Sequence, residues 1–129
     1  MSEFGRLMKS RMREGNVSDC PSLPQVEVLQ FVSEQGNPTM RDLAMYLKVK
    51  APSATSLVDE LVQTQLLLRE SDAADRRQVR LALTRKGMTS LATAVAQRKK
   101  VITSLLSPLE TGDREQFNRL LQKILTYNA

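Results

Sequence analysis

The sequence predicts a mainly α-helical fold with one small β-hairpin, and three observations support this prediction. Apolar residues recur at helical spacing over most of the 129 residues. The segments "LLLRES" and "VRLAL" instead alternate apolar and polar side chains, and "DAAD" between them is typical of a turn. Directly before this hairpin, two short helical segments are joined by the tight turn "VKAP". A chain of this length can bury a core of its own.

The first three helices are defined by their ends and by their apolar stripes. The first helix ends near Gly15, the second runs from about Pro24 to Gln35, and the third follows Thr39. Thr39 is expected to cap the third helix together with Asp42. The residues predicted to face inward share helical spacing and are Phe4, Leu7, Met8 and Met12, then Val26, Leu29 and Val32, then Met40, Leu43, Ala44 and Leu47.

Three further helices are predicted around the hairpin. The fourth has Pro52 in its first turn, where the missing N–H is harmless. The fifth is capped by Thr84 and covers about 85–106, and the sixth covers about 113–127 beyond the helix breaker Pro108. Their apolar faces are Ala54, Leu57, Val58, Leu61 and Val62, then Met88, Leu91, Val95, Ile102, Leu105 and Leu106, then Phe117, Leu120, Leu121, Ile124 and Leu125.

The charge of the chain is positive and unevenly distributed. Lys and Arg total 19 against 14 Asp and Glu, which gives a net charge of +5. Residues 69–107 carry nine of the cations and three of the anions, so the excess lies beside the hairpin. A local excess of this kind suits a polyanionic partner, and the alternative is a solvated basic surface.

Several function classes are excluded or disfavoured by composition. The chain has no histidine and one cysteine, Cys20, so we expect no metal site, no cofactor and no disulfide within the chain. We find no phosphate loop or nucleophile elbow, and therefore expect no enzyme. No apolar run is long enough to span a bilayer, and the N-terminus lacks the apolar segment of a signal peptide, which predicts a cytoplasmic protein.

The third and fourth helices match a helix-turn-helix, because small Ala44 and Ala54 allow the two helices to cross closely. Burial of the apolar face of the fourth helix leaves Ser53, Thr55 and Ser56 on its outer face. Short hydroxyl side chains near a helix N-terminus are able to meet phosphates or base edges. The fourth helix is therefore a candidate recognition helix.

A β-hairpin directly after a helix-turn-helix is a wing, which makes the fold class a winged helix-turn-helix. Arg76 and Arg77 lie at the tip of this wing, where an arginine is able to enter the negative minor groove. Asp75 flanks them and is expected either to pair with one arginine or to cap the turn. The alternative is a hairpin loop that its charges merely keep soluble.

These residues carry a family resemblance. The stretch "DLAMYLKVKAPSATSLVDELVQTQLLLRESDAADRRQVRLALTRKG", with the pattern Asp75-x-Arg77-x5-Leu83-Thr84, resembles the winged-helix domain of the MarR family of transcriptional regulators. The resemblance covers about 23–91. It implies a symmetric homodimer joined through the first, fifth and sixth helices, which binds double-stranded DNA at a pseudo-palindromic operator.

The resemblance also implies roles for single residues. The arginine corresponding to Arg77 usually reaches the minor groove in this family, and Asp75 supports the wing. Lys50 stands where the family often has a capping Ser, and a lysine there is able to contact a phosphate. The family further implies a small-molecule effector, and some members sense oxidants through a cysteine in the region of Cys20.

The predicted organisation is one compact domain with three parts. Residues 1–22 form an N-terminal helix and loop for dimerisation, residues 23–84 the winged helix-turn-helix, and residues 85–129 the C-terminal dimerisation helices. The predicted function is a sequence-specific DNA-binding transcriptional regulator, a dimeric repressor. The alternative function is a winged-helix module for protein assembly that does not bind DNA.

Overall fold

The structure is a computed structural model that describes residues 2–14 and 21–129. Within these residues, the elements in chain order are α1 (Glu3–Glu14), α2 (Leu23–Gln35), α3 (Met40–Leu47), α4 (Ala51–Gln63), β1 (Leu67–Ser71), β2 (Val79–Leu83), α5 (Arg85–Leu106) and α6 (Thr111–Asn128). The predicted fold class, mainly helical with one two-stranded hairpin, is confirmed. Gly15, Cys20 and the side chain of Met12 lie outside the described residues.

The chain divides into two compact units. One consists of Met1–Gly15 and Gln97–Ala129, and the other of Asn16–Ala96. The unit Asn16–Ala96 contains α2, α3, α4, the hairpin and the first part of α5. Dimerisation through the terminal segments remains a prediction.

The core of the unit Asn16–Ala96 is built from one leucine on each of five elements. Leu29 of α2, Leu43 of α3, Leu61 of α4, Leu67 of β1 and Leu81 of β2 are all fully buried. Each buried leucine contributes about 1.5–3 kcal/mol relative to an exposed one. The helix-turn-helix and the hairpin are therefore fixed to the same apolar cluster.

Helix α2 is buried over a wider face than its sequence pattern predicts. Val26, Leu29 and Val32 are buried as expected, but Val28 and Phe31 are buried as well. The reason is that α2 packs against both α4 and β2, so two faces are covered. A single helical stripe is the pattern of a helix covered from one side.

The predicted caps of α3 and α5 are confirmed. The Thr39 hydroxyl accepts from the Asp42 N–H at 3.1 Å, and the Asp42 carboxylate accepts from the Thr39 N–H at 3.0 Å. This capping box, with the backbone hydrogen bond as the larger cause, holds the pKa of Asp42 below its usual value. At α5, the Thr84 hydroxyl accepts from the Gly87 N–H at 2.8 Å.

The hairpin is antiparallel and is joined to the chain ahead of α3. Leu67 pairs with Leu83 at its open end, and Ser71 pairs with Val79 next to the loop. The Leu81 N–H donates to the Pro38 carbonyl at 2.9 Å, and an isolated bridge links Thr39 to Arg80. The segment that leads into α3 is therefore attached to β2 by a single β-bridge, which the sequence pattern does not predict.

Gly87 is required where α5 passes the segment between α4 and β1. A Cβ atom built on Gly87 would lie 2.1 Å from the backbone oxygen of Leu66. No real Cβ contact is this short, and the opposing atom belongs to the backbone. A larger residue at this position therefore forces α5 and the segment before β1 apart.

We expect Gly87→Ala to destabilise the protein by about 1–3 kcal/mol or more, the usual range for overpacking. The matched control is Gly112→Ala, because a Cβ on Gly112 of α6 meets nothing within 4 Å. Because Gly112 is the second residue of α6 and has open space around it, the control substitution is expected to raise stability by at most about 1 kcal/mol. Chemical denaturation of both variants checks the expectation, and equal stabilities would contradict the close approach.

The unit formed by the chain termini has apolar side chains that are not covered. In α6 every residue is exposed, and the exposed large apolar residues of α1 and α6 are Phe4, Leu7, Phe117, Leu120, Leu121, Ile124, Leu125 and Tyr127. Across the described residues, none of the helices combines the length and apolar character needed to cross a membrane.

Candidate nucleic-acid interface

Helix α4 presents two different faces. Ala54, Val58 and Leu61 are buried in the core, whereas Ser53, Thr55 and Ser56 are exposed. The core therefore fixes the rotation of α4 about its axis, and with it the direction of the three hydroxyl side chains. This orientation is the one that the periodicity of the sequence predicts.

The three hydroxyl groups differ in their freedom to bind another molecule. The Thr55 hydroxyl donates to the Ala51 carbonyl at 2.9 Å, so it presents its methyl group and an acceptor oxygen to the outside. Ser53 and Ser56 make no side-chain hydrogen bond within residues 2–14 and 21–129. Their hydroxyl groups are able both to donate and to accept.

Lys50 lies at the N-terminal end of α4. Its backbone is extended, with φ −71° and ψ 153°, and its side chain makes no capping hydrogen bond. The Lys50 carbonyl accepts from the N–H groups of Ser53 and Ala54, at 3.0 and 3.2 Å. The helix thus begins without a side-chain cap, and the exposed ammonium group adds positive charge where the helix dipole is also positive.

The loop of the hairpin, residues 72–78, is held by two aspartates. The Asp72 carboxylate accepts from the Ala74 N–H at 3.0 Å, and the Asp75 carboxylate accepts from the Arg77 N–H at 3.1 Å. The Gln78 N–H closes the turn by donating to the Asp75 carbonyl at 3.0 Å. Asp75 was expected either to pair with an arginine or to cap the turn, and in the structure it caps the turn. Its predicted role in DNA binding stays a prediction.

The cations around the wing fall into two groups. Arg69 is paired with Asp59 of α4, and Arg80 is paired with Asp72 at 3.1 Å. Arg76 and Arg77 are exposed and make no ion pair with any described residue. The charge pattern of the sequence did not separate these groups, because the partners are set by the register of the hairpin and by its packing on α4.

The pKa of Asp72 lies below its usual value, first because the Ala74 N–H donates to the carboxylate and then because Arg80 does. Asp72 therefore stays ionised at neutral pH. Two carboxylates close to the candidate interface, Asp59 and Asp72, are thus each matched by an arginine. The two exposed arginines at the tip are not matched in this way by any described residue.

A cavity of about 440 Å³ lies beside the first turn of α4. Its lining is mostly apolar, with two cations, and consists of Met40, Arg41, Ala44, Met45, Lys48, Val49, Ala51 and Thr55. The sequence gives only a weak signal for this cavity, the apolar residues Met45 and Val49 on and after α3, which the structure leaves exposed. Because Thr55 also belongs to the outer face of α4, a molecule in the cavity would lie against the candidate recognition helix.

The structure places the predicted site residues in two groups on one unit. Lys50, Ser53, Thr55 and Ser56 occupy the start of α4, and Asp75, Arg76 and Arg77 occupy the loop of the hairpin. In the described part of the chain, no three His, Cys, Asp or Glu residues are arranged to hold a metal ion. The arrangement provides hydroxyl donors and acceptors on a helix and two free guanidinium groups on a loop.

Comparison with known proteins identifies similar sequences. A sequence model of the MarR family matches residues 22–79. The HTH-type transcriptional repressor MdtR of Bacillus subtilis is 28% identical over 100 residues, which cover 78% of this chain and 64% of that repressor.

Solved structures share the fold over nearly the whole chain. The YusO protein from Bacillus subtilis superposes with a TM-score of 0.80 and 25% identity, covering 95% of this chain and 86% of that one. A MepR-like protein complexed with pseudoligands is 30% identical, with a TM-score of 0.69 and coverage of 96% and 87%. The match therefore includes the helices on both sides of the winged helix-turn-helix.

Proposed function

Because the chain belongs to the MarR family of winged-helix transcriptional regulators, we propose that it is a dimeric repressor that binds double-stranded DNA. In this proposal, α4 enters the major groove of a pseudo-palindromic operator and the wing enters the adjacent minor groove. The relative MdtR is a transcriptional repressor.

One observation carries the proposal: the core holds α4 and the hairpin together while leaving their polar and cationic groups exposed. Ser53 and Ser56 are free to meet base edges or phosphates, and Lys50 adds a cation at the helix start. The wing offers Arg76 and Arg77 without internal partners among the described residues. Exposed arginines suit the minor groove of DNA, because this narrow groove has a negative potential that attracts them.

A winged-helix module for protein assembly is the competing function, and salt dependence separates the two. Binding through phosphates releases counterions, so affinity for DNA falls steeply as salt rises. Selection of bound sequences from random duplex DNA is the most informative experiment. A palindromic motif with steep salt dependence supports the repressor, and the absence of any selected motif favours the assembly module.

A small-molecule effector is a further part of the proposal. The MepR-like relative is complexed with pseudoligands. The 440 Å³ cavity beside α4 is partly open to solvent, and its volume lies in the lower part of the range for small-molecule sites. A ligand there would contact Thr55 and so compete with DNA for the outer face of α4.

If the protein is a dimer joined through α6, a charged residue introduced on the apolar face of α6 is expected to weaken the dimer. Leu125 is 62% exposed in the single chain, so Leu125→Glu loses little within one protomer. If the apolar residues of α6 are covered by a partner, each protomer loses about 1.5–3 kcal/mol of burial. A symmetric dimer is therefore weakened by about 3–6 kcal/mol, roughly 150- to 20,000-fold. Light scattering over a dilution series measures the change, with the neighbouring exposed position Gln122→Glu as control. A wild-type monomer at micromolar concentration contradicts the dimer.

The recognition helix predicts a change of sequence preference. A bulky Ser56→Gln side chain on the outer face of α4 is expected to alter the preferred bases, by about 1–3 kcal/mol of discrimination at the affected pair. Ser53 and Thr55 variants are expected to behave alike. The control is Ser33→Gln, an exposed serine on α2. Selection from random duplex DNA compares them, and unchanged preference in all three variants of α4 means that the face is wrongly assigned.

The wing predicts unequal roles for its two arginines. Arg77→Ala is expected to weaken specific binding by about 1–3 kcal/mol with little change in melting temperature, and Arg76→Ala to do less. The order follows from the family resemblance, and the Arg77 backbone is also the one held by Asp75. Fluorescence anisotropy at two salt concentrations measures both, with Lys99→Ala on α5 as control.

Asp75→Ala tests the support of the wing. Losing the cap of the turn is expected to loosen the loop and weaken binding, whereas removing a merely repulsive carboxylate would strengthen it. Tighter binding by this variant therefore counts against the support role. Unchanged affinity in both arginine variants counts against the wing contact and favours the assembly module.

A further inference from the structure

Arg80 differs from the other wing arginines because both of its terminal nitrogens point back to the protein. Nη2 lies 3.1 Å from the Asp72 carboxylate, and Nη1 donates to the Asn37 carbonyl at 2.9 Å. Asn37 and Arg80 are 43 positions apart in sequence. The guanidinium group therefore joins the base of the wing loop to the turn ahead of α3.

Asp72 uses both of its carboxylate oxygens in this connection. Oδ1 accepts from the Ala74 N–H inside the loop, while Oδ2 meets Arg80. The Asp72 side chain is only 14% exposed, and that of Arg80 is 40% exposed. Hydrogen bonds between ionised partners in a partly shielded position are stronger than neutral ones. Asp72 thus transmits the position of Arg80 to the loop that carries Arg76 and Arg77.

The other end of the connection is equally fixed. Asn37 adopts φ 58°, in the left-handed region, directly before Pro38 and Thr39, which are both buried. Pro38 accepts from the Leu81 N–H, and Thr39 caps α3. Movement of the wing base relative to the first helix of the helix-turn-helix therefore breaks the contacts of Arg80.

We propose that Asp72 and Arg80 are positioning residues, which set the direction of the wing relative to the helix-turn-helix and do not themselves contact DNA. This inference rests on the proposed function, because it assigns a role in operator binding. These positioning roles are the opposite of those that the charges of the two residues alone would suggest. By charge, Arg80 would be a phosphate contact and Asp72 a carboxylate that repels DNA.

The test uses the full-length protein and two duplexes, a selected operator and a random sequence of the same length. For Asp72→Asn, positioning predicts about 3- to 30-fold weaker operator binding, whereas simple repulsion predicts tighter binding. Random-sequence affinity is expected to stay nearly unchanged or to rise slightly. The matched control is Glu70→Gln, since Glu70 lies opposite Arg80 in the hairpin register but forms no ion pair with it.

Two variants of Arg80 test whether its positive charge contacts a phosphate or its hydrogen bonds position the wing. Arg80→Met is expected to weaken operator binding by a similar factor while the salt slope of random-sequence binding stays as in wild type. A phosphate contact made by Arg80 of each protomer would instead reduce that slope by about 1.8 for the dimer. Arg80→Lys keeps the charge but lacks the planar fork, so positioning predicts at most partial rescue and a phosphate contact predicts nearly full rescue.

The double variant Asp72→Asn with Arg80→Met is expected to lose little more than either single variant, because both break the same connection. Stoichiometric titration measures the active fraction, so that lost folding is not mistaken for lost affinity. The inference is wrong if the active fraction of both single variants binds with wild-type affinity, or if Asp72→Asn binds more tightly. Either result leaves the proposed function intact. Absence of salt-dependent operator binding by the wild-type protein overturns the proposed function and the inference with it.

Discussion

The candidate interface depends on one packing contact, in which leucines of α3, α4 and the hairpin are buried against each other. Leu43, Leu61, Leu67 and Leu81 are fully buried together, so the helix-turn-helix and the wing share one core. Protein interiors are close-packed, and a shift of one element is therefore felt by its neighbours. In the proposed complex, α4 and the wing loop enter two neighbouring grooves, and this common support fixes their relative positions.

The arginines around this core form one paired group and one exposed group. Arg69 and Arg80 neutralise Asp59 and Asp72, while Arg76 and Arg77 remain exposed at the loop. An excess of cations alone would attract any polyanion with little regard for orientation. Here some of the arginines form internal ion pairs, and two aspartates hold the loop. These contacts fix the conformation of the wing, and a groove contact in one defined orientation requires a fixed conformation.

The sequence predicts the local features well and the long-range ones poorly. The helices, the hairpin, the Thr39 box and the Thr84 cap depend on neighbours three or four positions away, and the structure contains them all. The Arg80 contact with Asn37, by contrast, depends on how the hairpin packs against the turn before α3. The burial of Phe31 was missed for the same reason, because α2 is covered from two sides. The exposure of Ser53, Thr55 and Ser56 was predictable because the apolar face of α4 is regular.

The contrast between the two units gives the proposed dimer a physical reason. The unit Asn16–Ala96 has a well-buried core, whereas α6 has 18 residues and buries none of them. An isolated amphipathic helix gains most of its stability from packing its apolar face, so α6 requires a partner surface. In the proposed dimer that surface belongs to a second copy. Two recognition helices then stand at a fixed distance, and a palindromic operator is read only when its half-sites have the matching spacing.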